Sequence, residues 1–513
     1  MTRRHYDVIV LGRSPGALAA AVLLARRDRR VLLLGQGGRP ATYRFEGRPL
    51  RRRSFTFLAA TSPAFRRLLH ELAQAQTFRR RLVAQDPMFG VLGPGFRLDV
   101  PPDSALFAAE IEREFPEVRQ LVDELYAGIA SANANAEAAF ERDLVWPPGT
   151  LWERLETGRA ASELPRPEPD AESLLARFPA RHAFREVALA PALFANDLGA
   201  AHAAMPAFTF ARLHGAWTRG LYALAGGEDE LESFLVDRLL AHGGEARLDA
   251  RAESLVVRRG AVVGVVEDGL EHPTSADALV TDLAGEQLAE LARGEGITRQ
   301  AERDWPRVSA VGGRFVTSLV VQRRGLPEPL PAESFLLSSS GLGRPRVHLS
   351  RIDGLDGSRP DESLLVAETL LPRRGAVSPA EARAVVLQAV EEHLPFLRES
   401  LVHVDSPHDG LPLWDFRGGE RRDVDRMHLP ETAARGEPLR PLLAVEPSGY
   451  HGIAGEPLRG PIQGTYLVGP TVLPGLGQEG LFLAALGVAR ILARRSRQRE
   501  RLRRDLWDKL ESS

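Results

Sequence analysis

The stretch Tyr6–Gly35, YDVIVLGRSPGALAAAVLLARRDRRVLLLG, limits the possible fold more than any other part of the chain. Val8–Leu11 is an apolar run that reads as a buried strand. A tight turn follows, then an alanine- and leucine-rich helix from about Gly16 to Arg27, then a second apolar run, Val31–Leu34. Such a strand, helix, strand unit has parallel strands buried on both faces. Its turn sets backbone N–H groups at a helix N-terminus, where unpaired donors and the helix dipole stabilise an anionic pyrophosphate.

The turn departs from the dinucleotide fingerprint G-x-G-x-x-G/A. Its three positions hold Gly12, Ser14 and Ala17, with Pro15 and Gly16 between the last two. Alanine is an accepted variant for close helix–strand packing, but Ser14 adds a side chain where the backbone should approach the pyrophosphate. The acidic residue expected after the second strand is Gly35, and its neighbour Gln36 carries no charge. Two readings stand at this point: a weakened dinucleotide site, or a Rossmann-type unit kept for its packing.

Composition narrows the class. A chain of 513 residues with 44% hydrophobic and 26% charged residues folds into two or three globular domains. A formal net charge of −2 gives no field for nucleic acid. The absence of cysteine excludes disulfides, thiolate metal sites and cysteine nucleophiles. Lys509 is the only lysine, so a Schiff-base lysine in the core is excluded too. MTRRHYDVIVLG shows no secretory signal, and no apolar run approaches the roughly 20 residues of a spanning helix, so a cytoplasmic setting is expected.

Along the chain, Arg51, Arg52 and Arg53 form a basic run, read either as a phosphate-seeking patch or as a solvated face. Helical periodicity predicts helices over 62–76, 104–114, 118–138, 171–178 and 184–190, the last ending at Pro191. Phe89–Val100 reads as a hairpin around Gly93-Pro94-Gly95, and Leu164–Asp170 as a proline-rich loop. His202 and His214 lie in apolar surroundings without a metal-ligand spacing. From Gly220 the register changes to a glycine turn, a helix over 230–242 and strands up to Thr281, a return to the first domain. A second excursion over 298–443 mixes strands with a helix over 379–392. TYLV at 465–468 then leads through Gly469 and Pro474-Gly475-Leu476-Gly477 into a long helix from Gln478. The tail RRSRQRERLRRDLWDKLESS places Leu502, Leu506, Trp507 and Leu510 near one face, either a solvated helix or one that touches a membrane surface.

Three separated segments, DVIVLGRSPGALAAAVLLARRDRRVLLL, ALAGGEDELESFLVDRLLAHGGEARLDARAESLVV and GPIQGTYLVGPTVLPGLGQEGLFLAALGVARIL, resemble the phytoene desaturase-like branch of flavin-dependent amine-oxidase-type oxidoreductases, which includes carotenoid isomerases. PSGYHG at 447–452 and FRLDVPPDSALFAAEIEREFPE are similar to further parts of that family. The resemblance implies an α/β fold with an α+β cap: a Rossmann-like FAD/NAD(P)-binding domain from 1–60, 218–297 and 444–495, an inserted substrate domain from 61–217 and 298–443, and a basic helical tail over 496–513. It implies FAD, with Gly12, Ser14, Pro15, Gly16 and Ala17 at the pyrophosphate and the Ala252 backbone at the adenine. Gln36 stands beside the ribose position, and Gly469, Gly477, Gln478 and Glu479 near the pyrophosphate, ribityl chain or flavin ring. LRRRSF at 50–55 stands where the family carries an Asp-x-Gly-Pro-like stretch close to the flavin.

The same resemblance implies a long apolar, isoprenoid or carotenoid-like substrate in an elongated apolar pocket. It also implies flavin hydride transfer or flavin-assisted isomerisation, with His451 in a loop near the ring. No catalytic acid or base stands out. The rival is a non-catalytic flavoprotein-like scaffold that has weakened or lost FAD, supported by Ser14 and Gly35. Amine oxidation, a third reading, would favour an aromatic cage and a lysine near the flavin, and no core lysine exists.

Overall fold

β1 (His5–Leu11), α1 (Pro15–Ala25) and β2 (Val31–Leu34) form where the sequence places them. They belong to a computed structural model that describes residues 5–162, 164, 170–199, 205–338, 345–375, 377–425 and 436–511. Ser14 caps α1 by accepting from the Ala17 N–H, and Pro15 fills the first helical position, where no N–H is needed. Every residue from Gly16 to Ala25 is buried. A helix apolar on all sides has no solvent face, so α1 is a core helix. It packs between the helix Glu228–Ala241 and the long C-terminal helix Gly477–Glu511.

Among the described residues β1 and β2 sit in a seven-stranded sheet. β1 pairs in parallel with β2 and with Thr274–Thr281, so that Leu11 lies beside both Leu34 and Thr281. Glu245–Arg247 extends the sheet beyond β2, and Thr465–Leu467 pairs in parallel with the far half of Thr274–Thr281. The hairpin Ala252–Arg258 with Ala261–Glu267 closes one edge. The sheet thus collects strands from three widely separated stretches of chain.

A second, ten-stranded sheet centres on the long strand Arg307–Gln322, which pairs with Glu362–Pro372, Leu401–Asp405 and Arg440–Glu446. The hairpin Phe89–Gly93/Phe96–Val100 joins this sheet through parallel pairing of Ser334 with Gly90. Residues on either side of the central nucleotide-fold segment therefore build one cap sheet. The helices Arg119–Glu141, Phe184–Ala195 and Ala207–Thr218 cover it from one end.

Three expectations are revised, and His214 sits in the apolar surroundings expected of it. The helix at 184 runs through Pro191 to Ala195; burial of Val187, Ala188 and Pro191 holds it despite the missing donor. The hairpin Thr42–Phe45/Arg48–Arg51 packs Tyr43, Phe45 and Leu50 onto the cap sheet rather than into the first domain. Pro474–Arg495 is long and apolar enough to cross a membrane by length and composition, and it is mostly buried inside the protein as a core helix. His214, wholly buried, is held by the Ala188 carbonyl and the Tyr126 hydroxyl. His202, most of the 164–170 loop and the side chains of the helical tail lie outside the described residues.

Candidate functional site

The turn after β1 is built as the sequence suggests, and its contents are not. Gly12 adopts φ +124°, and a Cβ there would lie 1.9 Å from Oδ1 of Asp282. Asp282 follows Thr281, the strand neighbour of Leu11, and its own N–H donates to the Leu11 carbonyl at 3.1 Å. Its Oδ2 accepts from the backbone N–H groups of Ser14 at 2.8 Å and Arg13 at 3.1 Å. Burial pushes the Asp282 carboxyl above the ordinary range, against the bonds from the Ser14 backbone and hydroxyl and from Arg13 N–H. Among the other groups of the turn, Pro15 has no N–H, the Ala17 N–H is held by Ser14 Oγ, and the Gly16 N–H has no hydrogen-bond partner among the described residues. The Arg13 and Ser14 donors of the cradle are already taken by a side-chain carboxyl.

The adenosine end is arranged in the same way. Gln36, at φ +53°, donates from Nε2 to the Ala252 carbonyl at 3.0 Å and accepts the Ala252 N–H on Oε1 at 2.9 Å. The backbone edge implied for adenine is thus paired with a carboxamide. At Gly35 a Cβ would lie 1.8 Å from the Leu248 carbonyl oxygen, so no ribose-binding carboxylate fits at that position. Arg13 reaches across the strand ends, donating from Nε and Nη2 to Glu232, both at 2.5 Å, and from Nη1 to the Gly38 carbonyl at 3.1 Å.

The C-terminal residues are also engaged within the chain. Gly469 abuts the Asp282 carbonyl, and Gly16 abuts the Val468 carbonyl. Gly477 opens the final helix. Gln478 donates to the Thr56 carbonyl at 2.7 Å and accepts from the Ala59 N–H at 3.3 Å. Glu479 forms a buried fork with Arg212, two bonds of 2.6 Å, so it faces an arginine rather than a cofactor. Arg51, Arg52 and Arg53 are neither a phosphate patch nor a solvated face: they pair with Asp229, Glu437 and Glu228, and the first two are buried. His451 packs edge-on against Tyr450, ring centroids 4.6 Å apart.

As placed, these residues do not accept a dinucleotide. A pyrophosphate over Gly12 would compete with the Asp282 carboxyl for the Arg13 and Ser14 N–H groups. The adenine edge would have to displace Gln36.

A cavity of about 300 Å³ lies against the ten-stranded sheet, which supplies Arg314, Val316, His348, Glu368 and Arg440, and is bounded elsewhere by Arg52–Ser54, Thr56 and Gln478. Four guanidinium groups line it, those of Arg52, Arg53, Arg314 and Arg440, against the carboxylates of Asp197, Glu368 and Glu437. Arg314 bonds to Glu368 and to the Phe194 and Asn196 carbonyls, and Arg440 to Asp197 at 2.8 Å. Five lining side chains carry a buried polar atom with no hydrogen-bond partner: Ser54 Oγ, Thr56 Oγ1, Trp217 Nε1, Arg314 Nε and His408 Nε2. His408 donates from Nδ1 to the Glu437 carbonyl at 3.1 Å, which leaves Nε2 as an acceptor. Burial lowers the His408 pKa, keeping the ring neutral. The elongated apolar pocket expected for a polyene is not what this cavity offers.

Sequence reasoning did not single out Asp282 or any of the five. Asp282 had one available signal: a carboxylate directly after an apolar parallel strand, at the carboxyl edge where doubly wound sheets bind ligands.

Residues 10–72 match the NAD(P)-binding Rossmann-like domain family. No curated protein matches the chain in sequence. Among solved structures, the chain is similar to an oxidoreductase from Methanosarcina mazei, with TM-score 0.59 and 14% identity over 94% of this chain and 99% of that one. It is also similar to putrescine oxidase redesigned in its cofactor binding, with TM-score 0.59 and 16% identity over 96% and 99%. A Pyrococcus furiosus protein gives TM-score 0.54 and 15% identity over 93% and 95%. The fold is therefore a mixed α/β fold with a Rossmann-like domain, of the type found in FAD-dependent oxidoreductases.

Proposed function

We propose that this chain binds a small hydroxylated carboxylate in the cavity against its ten-stranded sheet, on a frame shared with FAD-dependent oxidoreductases. The observation that carries this is a cavity lined by five residues that each hold a buried polar atom without a hydrogen-bond partner. Buried polar groups are normally satisfied, and each one left alone costs about 1–3 kcal/mol, so a polar ligand is the natural partner. The N–H groups of Arg314 and Trp217 and the Ser54 and Thr56 hydroxyls can all donate, which suits an acceptor-rich molecule such as a carboxylate. His408 Nε2 accepts one ligand hydroxyl. The volume is at the low end for small-molecule sites.

A second reading keeps redox chemistry. Likeness to an oxidoreductase over nearly the whole chain favours it, and Gln478, where the resemblance puts the flavin, borders the same cavity. The phytoene desaturase-like branch, with a long isoprenoid substrate and a carotenoid pathway, rests on sequence resemblance alone, and a small charged cavity does not support it.

Calorimetric titration tests the proposal. Glycolate, malate and gluconate are compared with glycerol and with retinol, using wild type and Ser54→Ala/Thr56→Val. At least one carboxylate should bind, and the double variant should weaken it by about tenfold or more, since each lost bond is worth roughly 1 kcal/mol. Binding of retinol alone, or of carboxylates with equal affinity to both proteins, would refute it.

A further inference from the structure

The Rossmann turn supplies an inference independent of what the cavity binds. The backbone of a phosphate-binding nest is present: a glycine at φ +124°, adjacent N–H groups of Arg13 and Ser14 converging on one point, and a helix N-terminus behind them. What lies at that point is Asp282 Oδ2. At the far end of the same groove the Ala252 N–H and carbonyl, the edge that would read adenine, close onto the Gln36 carboxamide. Between the two, the Arg13–Glu232 fork ties the turn to the helix Glu228–Ala241.

We propose that the dinucleotide groove of this chain is closed from within: Asp282 stands in for the pyrophosphate and Gln36 for the adenine edge, so the wild-type protein does not retain FAD or NAD(P). Three features make this a built arrangement. Only glycine at position 12 leaves room for the carboxylate, since a Cβ would overlap Oδ1. The strand pairing of Leu11 with Thr281 fixes where residue 282 emerges. A tethered group competes at an effective concentration on the order of mM even on a flexible linker, and Asp282 is held by strand pairing on one side and by its own N–H bond to Leu11 on the other. A free ligand of ordinary affinity must displace that carboxyl from the Arg13 and Ser14 N–H groups.

Ser14 and Gly35 both have structural roles in the closed groove. Ser14 is the cap of α1 and a donor to the internal carboxylate. Gly35 is glycine because the Leu248 carbonyl occupies the space above it. Neither is a defect in an otherwise open site.

The test uses the full chain and two probes, FAD and inorganic pyrophosphate, titrated by calorimetry, with flavin fluorescence as a second readout for FAD. Wild type should show no saturable binding of either probe up to about 1 mM, an upper bound set by the effective concentration of the internal carboxylate. Asp282→Ser empties the nest while leaving its donors in place. Its pyrophosphate affinity should rise at least about tenfold, as expected for one regained charge-assisted bond. Asp282→Asn keeps the shape and removes the charge, so it should gain less; if the serine variant does not fold, the asparagine variant decides. Asp282→Ser/Gln36→Gly, which frees both ends, should gain FAD binding as well. Flavin retained by the purified wild type, micromolar FAD binding by it, or pyrophosphate affinity unchanged in the folded Asp282 variants would overturn the proposal.

Discussion

Replacing Glu479 with alanine separates a structural role from a cofactor role. Its carboxylate accepts two bonds of 2.6 Å from Arg212, whose side chain is 1% exposed against 7% for Glu479. Arg212 also donates to Asn133 Oδ1 at 2.9 Å and lies 3.7 Å from Glu137. Removing one partner of a buried pair costs about 3–5 kcal/mol, because the other charge stays buried. Glu137 is 30% exposed and can draw closer, so the expected loss is the lower part of that range, about 3–4 kcal/mol. Glu479→Leu combined with Arg212→Met should recover most of it, since a well-packed apolar pair often replaces a buried ion pair at little cost. Urea unfolding followed by tryptophan fluorescence reads this directly, because Trp217 lies on the same helix as Arg212. A Glu479→Ala protein destabilised by less than about 1 kcal/mol would refute the assignment and return Glu479 to the ligand groups.

Three further outcomes follow from the same geometry. Gly35→Glu should not create a ribose site; its Cβ would overlap the Leu248 carbonyl at 1.8 Å, and thermal melting should report destabilisation of about 2 kcal/mol or more. Gly12→Ala should destabilise too, by displacing Asp282 and straining a φ of +124°, and melting of Gly12→Ala in an Asp282→Ser background should show a smaller loss than in wild type. Burial lowers the His214 pKa to about 4. With the unfolded value near 6.5, the unfolded state takes up its proton first as pH falls. Stability is therefore intact above about pH 6.5 and declines by about 1.4 kcal/mol per unit towards pH 4. His214→Phe should flatten that slope in urea unfolding measured across the pH range.

The fold was readable because its signals are local and repeated. The apolar runs of β1 and β2 and the glycine turns that open later helices each specify structure within a few residues. The contents of the groove were not readable in that way. A fingerprint grades the turn by its own residues, whereas the group lying in it arrives from residue 282 through the pairing of Leu11 with Thr281. Arg51, Arg52 and Arg53 illustrate the same limit: they pair with carboxylates 178, 385 and 175 positions away, so their run of charge gave no indication of burial. The cavity is more dispersed again, with Ser54, Trp217, Arg314 and His408 on four separate stretches. Pro191 shows tertiary packing overriding a local rule, since its helix continues to Ala195.

We propose that the dinucleotide groove of this Rossmann-like fold is closed by the chain's own side chains. The visible absorption spectrum of the wild-type protein, purified without added cofactor and again after incubation with excess FAD and desalting, tests it most directly. The closed groove predicts no flavin bands in either sample. Flavin bands at a stoichiometry near one per chain, in either sample, would contradict it.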